Sequence, residues 1–231
     1  MLARDHSPSL GAPRPARPLI QVLDDETAMQ SLFERIGQLC GFEVTCYGTA
    51  ESFLRDYDDA RAGCIVIDLM LPDRSGIEVL EEVSERGGEL PVVFISGMAR
   101  VSEAVRALKL GSVDFVEKPF DIRKIAEVLR RAVDLDIQRR SRLEDTLALR
   151  QRFEALTTRE RQVMEQIVRG AANKDVAASL GLSHKTVEVH RANVMRKSGA
   201  GSLAELVRMH VSLQTDPAST TPPVGSAPSG L

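Results

Sequence analysis

Four apolar runs in this chain stop at residues that can do chemistry. LIQVL is followed by Asp24 and Asp25, IVI by Asp68 within IVIDLMLPDRSG, VVFI by Ser96, and VDFVE by Lys118. If these runs are neighbouring strands, three carboxylates, a hydroxyl and an ammonium meet at one sheet edge. Close carboxylates repel one another and call for a cation, and hard oxygen donors suit Mg2+. A carboxylate beside Mg2+ can accept a phosphoryl group as an aspartyl phosphate. The metal and an ammonium then neutralise the equatorial oxygens of the group in transfer, and a serine hydroxyl can donate to the same oxygens. Asp68 is the candidate acceptor, and Ser96 and Lys118 are the candidate phosphoryl-binding residues. A single acid after a strand is an ordinary turn residue or helix cap. Here four strand ends carry complementary groups in order.

The elements that must position these groups are legible as alternating signals. Residues 19–23, 42–46, 64–67, 91–95 and 113–116 read as short buried strands. Their near-continuous apolar character is that of a parallel sheet covered on both faces. Helical patterns over 26–39, 50–57, 77–85 and 101–110 separate them. The expected fold is an α/β doubly wound, five-stranded parallel sheet, in which a ligand crevice lies at the carboxyl ends of the strands. From Ile122 to about Phe153 the pattern is helical, first apolar at Ile125, Val128, Leu129 and Val133, then strongly charged. The charged part is a helical linker, either a solvated spacer or part of a two-chain contact.

A second, all-helical domain follows. Thr157 with Glu160, and Ser202 with Glu205, have capping-box spacing. Asn173 and Ser183 suit N-caps, and Gly170 and Gly181 fall where helices should end. The expected division is a disordered extension over 1–17, an α/β domain over 18–133, a helical linker over 134–155, an all-α domain over 156–212 and a disordered tail over 213–231. Both end segments are rich in small, polar and Pro residues that cannot bury a core.

Charge divides the chain along the same line. Residues 18–121 carry nine basic and twenty acidic side chains, whereas 156–212 carry nine basic and five acidic ones. The first should attract cations and the second an anionic partner such as nucleic acid. Cys40, Cys46 and Cys64 lie in or beside apolar runs without a CxxC, which fits buried thiols in a reducing cytoplasm. No apolar run approaches the roughly 20 residues of a membrane helix, so no membrane partner is expected.

NKDVAASLGLSHKTVEVHRANVMRK reads as two helices joined by a tight Gly-Leu-Ser turn, the logic of a helix-turn-helix. Val187, His190 and Val194 form its inward stripe. Lys185, Glu188, Val189 and Ala192 define another face, bordered by Arg191, Arg196 and Lys197, with Thr186 at its start. The bases would mostly fix phosphates, and Glu188 could accept from a cytosine amino group. No second metal ligand lies near His190 in sequence.

Taken together, LDDE, IVIDLMLPDRSG, FISG and VDFVEKPF resemble the receiver domain of bacterial two-component response regulators, a flavodoxin-like fold, over about residues 19–131. LTTRERQVMEQIVRG, the helix-turn-helix stretch and SLAELVRM resemble the LuxR-type DNA-binding domain over about 156–209. The combination is most similar to the FixJ type within the NarL/FixJ family. This resemblance implies that a sensor histidine kinase phosphorylates Asp68. It implies that Asp25, Asp68 and the Met70 carbonyl hold Mg2+, with Asp24 assisting through water, that Phe115 is the switch aromatic, and that the Lys118–Pro119 bond is cis. It further implies a homodimer on phosphorylation through the surface around residues 101–108, where Val101, Val105 and Leu108 form an apolar stripe that serves either this contact or the core, a recognition face of Lys185, Glu188, Val189 and Ala192 on paired DNA half-sites, and RNA polymerase as a downstream partner. Ser198 departs from the family's usual apolar residue and is expected to loosen packing before the last helix. The alternatives are a Mg2+-dependent phosphohydrolase and a receiver that controls a protein partner without binding DNA. The phosphohydrolase class wants a second Asp two residues after the first, where this chain has Met70. Without that acid, and with Met70 and Met98 flanking the site, a long-lived phosphoryl-Asp68 is expected.

Overall fold

The computed structural model describes residues 16–97 and 101–215, without the side chains of Val101, Ser102 and Thr215. The expectations for residues 1–15 and 216–231, and for Met98, lie outside the described residues. The chain divides into two units between Arg140 and Ser141.

The first unit holds β1 (Leu19–Leu23), α1 (Thr27–Cys40), β2 (Glu43–Tyr47), α2 (Ala50–Asp56), β3 (Gly63–Asp68), α3 (Gly76–Glu85), β4 (Val92–Ser96), α4 (Val101–Lys109) and β5 (Asp114–Glu117). All strand pairs are parallel, in the order β2-β1-β3-β4-β5. Side chains alternate across a strand, and both faces of this sheet are covered. Cys64 and Val66 of β3 join Val22, Val93 and Ile95 beneath Phe33, Ile36, Ile125 and Leu129. Ile65 and Ile67 join Leu23 and Phe94 beneath Phe53, Ile77 and Leu80 on the other face. Double coverage explains the unbroken apolar runs of β1, β3 and β4. The parallel register brings the β1, β3 and β4 carboxyl ends side by side: Leu23 pairs with Ile67, and Asp68 with Ile95.

The helix α5 runs unbroken over Ile122–Glu154, so the expected domain-closing helix and linker are one element. No described helix is long and apolar enough to cross a membrane. The second unit contains α6 (Thr158–Val168), α7 (Asn173–Leu180), α8 (His184–Ser198) and α9 (Leu203–Thr215) around Val163, Met164, Ile167, Val176, Val187, Val194 and Leu206. Residues 213–215, read from sequence as tail, complete α9.

Thr157 and Glu160 make the expected reciprocal cap. Asn173 is not an N-cap: Ala172 holds that position without a side-chain bond, and the Asn173 Oδ1 accepts from Arg191 instead. Only half of the Ser202 box forms, because the Glu205 carboxylate takes the amide of Gly201 rather than that of Ser202. Ser198 is fully buried and satisfied, donating to the Met195 carbonyl and accepting from the Ala200 amide, so the expected loosening is not seen.

Candidate functional site

Asp24 immediately follows β1 and Asp68 ends β3, and both carboxylates are buried. Asp24 accepts the Glu26 amide on Oδ1 at 2.8 Å, and its carbonyl accepts from Gln30, which fixes the turn into α1. Asp68 Oδ1 accepts the Met70 amide at 2.9 Å. Lys118, just past β5, crosses the edge and donates to Asp68 Oδ2 at 2.6 Å and Asp24 Oδ2 at 2.8 Å. Its position follows from the last step of the sheet ladder, where the Lys118 amide donates to the Ser96 carbonyl at 2.7 Å. The Lys118–Pro119 bond is cis.

Electrostatics at this edge are those of an anion-rich pocket built for a cation. Burial works against the Lys118 ammonium, but hydrogen bonds to Asp24, Asp68 and Glu26 outweigh it and raise its pKa above the ordinary lysine value. Burial likewise raises Asp24, against the opposing hydrogen bond from Lys118. Ligand oxygens of Asp24, Glu26 and Asp68 lie within 4.8 Å of one another. All are hard donors, so the set fits Mg2+.

The sequence-predicted residues fall as follows. Asp24, Asp68 and Lys118 meet directly. Asp25 is exposed and stands outside the close group of three carboxylates, in which Glu26, unremarked in the sequence, takes a place. Ser96 is fully buried at the end of β4. Phe115 is half-buried on β5 beside Phe94 and the core that contains Ala107 of α4. Met70 is 68% exposed at the rim. On α4, Val105 and Leu108 are exposed. Sequence reasoning also missed Gly76. A Cβ there would lie 2.3 Å from the Asp68 carbonyl oxygen, so the loop after β3 closes only without a side chain. The paired Ser75–Glu78 capping box that starts α3 at this point was the available signal.

In the second unit, α8 begins at Ser183, whose hydroxyl accepts the Thr186 amide and contacts its hydroxyl. Val187 and Val194 are buried, and His190 is partly buried with its Nδ1 unbonded. Lys185, Glu188, Val189, Ala192 and Arg196 form a continuous exposed stripe. Val189 is 52% exposed. Arg191 is held to Asn173 at 3.2 Å. Lys197 turns inward to Glu160 at 2.7 Å and to the Ala155 carbonyl at 3.1 Å, so its ammonium is already engaged within the domain.

Two family models match the chain. Residues 20–130 match the response regulator receiver domain, and residues 154–210 match the bacterial regulatory proteins of the luxR family. The response regulator protein TodT of Pseudomonas putida is 37% identical over 191 residues, which are 83% of this chain and 84% of that protein. The transcriptional regulatory protein FixJ of Rhizobium meliloti is 40% identical over 190 residues, 82% of this chain and 93% of that one. The solved structure of the response regulator StyR superposes with a TM-score of 0.78 at 34% identity, covering 85% of this chain and all of the other.

Proposed function

The chain belongs to the two-component response regulators that join a receiver to a LuxR-type DNA-binding domain, and from that premise we propose that Asp68 is the residue a sensor histidine kinase phosphorylates. The observation that carries this reading is the buried Asp68 carboxylate at the end of β3 with the Lys118 ammonium 2.6 Å away. In the transfer, a bond forms between an Asp68 oxygen and phosphorus, and the phosphorus–nitrogen bond of the kinase phosphohistidine breaks. Lys118 follows the charge onto the phosphoryl oxygens, and the Ser96 hydroxyl donates to them. Mg2+ would be held by Asp25, Asp68 and the Met70 carbonyl, with Asp24 through water, and would supply charge neutralisation for the transferring group.

Movement of Ser96 toward the phosphoryl group vacates room for Phe115 to turn inward. That change remodels the α4 surface, where Val101, Val105 and Leu108 pair with a second copy. Two copies of α8 then reach two DNA half-sites. Lys185, Glu188, Val189 and Ala192 face the bases, while Thr186, Arg191 and Arg196 serve the backbone. The engaged ammonium of Lys197 makes it the weakest member of that set. The protein acts in the cytoplasm and works through RNA polymerase. Members of this family are transcription regulators rather than enzymes.

The test is a binding selection. Genomic fragments are offered to the intact protein in Mg2+, with and without beryllofluoride, at one fixed salt concentration. Enrichment of paired half-sites with beryllofluoride alone is expected. Equal enrichment in both samples would place the switch after DNA binding, and enrichment in neither would move the protein-partner alternative ahead.

A further inference from the structure

Lys118 has three N–H donors, and three carboxylates take them: Asp68 at 2.6 Å, Asp24 at 2.8 Å and Glu26 at 3.0 Å. The partners are not equivalent. Asp24 and Asp68 are buried at strand ends, whereas the Glu26 side chain is 58% exposed. Glu26 also occupies the N-cap position of α1, where a capping side chain turns back onto the first free amides of the helix. It makes no such bond, and its carboxylate reaches across the site to Lys118 instead.

A phosphoryl group on Asp68 changes this balance. The donor now on Asp68 can follow the new group, but its oxygens lie beyond the carboxylate, so the ammonium must shift and a further partner must let go. Releasing Asp24 would take a charged donor from a buried carboxylate. Releasing Glu26 returns an exposed carboxylate to water, and exposed ion pairs are worth little. Resting on the reading of Asp68 as the phosphoryl acceptor, we infer that Glu26 is a positioning residue that competes with the phosphoryl group for Lys118 and thereby limits how tightly the phosphorylated state is held.

The test uses the intact chain with Mg2+ and beryllofluoride as probes. Mg2+ is titrated alone, and beryllofluoride is then titrated at saturating Mg2+, followed by fluorine and amide NMR. Wild type is compared with Glu26→Gln and Glu26→Asp. The aspartate keeps the charge but is one methylene too short to hold the ammonium. Both variants should bind beryllofluoride about twofold to fivefold more tightly, the worth of an exposed ion pair. Mg2+ affinity is measured for each variant first, so that beryllofluoride affinities are compared with every protein saturated in Mg2+. Tightening in Glu26→Gln alone would mean simple relief of charge and would overturn the inference. So would weaker Mg2+ binding by Glu26→Asp, which would make Glu26 a cation-holding residue, and so would no change in either variant. If wild type itself fails to bind beryllofluoride in Mg2+, the assignment of Asp68 falls, and the inference with it.

Discussion

Gly76 shows how one missing side chain supports the site. It is the first residue of α3, and an added Cβ would meet the Asp68 carbonyl oxygen at 2.3 Å and the Ile67 Cγ2 at 2.7 Å. Alanine is the better helix former by up to about 1 kcal/mol. Overpacking against fixed backbone costs about 1–3 kcal/mol, and the backbone here belongs to the central strand β3, so the clash wins. Gly76→Ala should lower stability by about 1–2 kcal/mol in urea unfolding. It should also slow labelling of Asp68 by a small phosphodonor, because Asp68 must move relative to Lys118. A more stable variant with unchanged labelling would disprove the account. At this scale the sequence exposes groups that end apolar runs: Asp24, Asp68, Ser96 and Lys118 are all where the runs placed them. It hides Glu26 and Gly76. Glu26 lies in no run and is recruited by a contact across 92 positions, and Gly76 matters only for the space it leaves.

Among the elements, α6 starts on a complete capping box. Glu160 accepts from Lys197 and from the Thr157 amide, and the Lys197 hydrogen bond leads in lowering its pKa to about 2. A carboxylate whose folded pKa is depressed stabilises the fold fully above its unfolded value, about 4.3. That stabilisation is lost as pH falls toward the folded value. Glu160→Gln should therefore be less stable than wild type near neutrality, and the difference should shrink steadily between about pH 4 and pH 2. Urea midpoints of the two proteins across that range would show it, and a gap that stays constant would refute it. Thr157→Ala removes the other half of the box and should cost about 1 kcal/mol. Element types were readable throughout, because the period of the apolar residues survives in any context. Ends were less so. Asn173 has cap chemistry but spends its side chain on Arg191, and α9 runs on through residues 213–215, which read as tail.

At the scale of the whole molecule, the first unit is acidic and the second basic, and on the proposed reading phosphorylation of the first sets how the second binds DNA. A single α8 stripe offers few contacts, and its affinity for one half-site should be modest and strongly salt-dependent. Pairing two receivers makes the second binding event intramolecular, at an effective concentration that reaches millimolar when the linkage spans the sites. A receiver that instead covers the DNA-binding domain until phosphorylated would free each stripe individually. The two devices predict different data from one experiment. With Mg2+ and beryllofluoride, dimerisation raises affinity for a paired site by tenfold or more, on the order of the avidity gains expected for linked sites. It leaves affinity for a single half-site within about twofold. Unmasking raises both alike. We expect the first pattern, because exposed Val105 and Leu108 lie on α4, the helix adjoining the Phe115 core. Titrating one labelled half-site and one labelled pair at the same salt concentration decides it. Equal gains on both would replace dimerisation with release of a covered α8, and in that case an isolated 156–231 fragment should outbind the intact unphosphorylated chain.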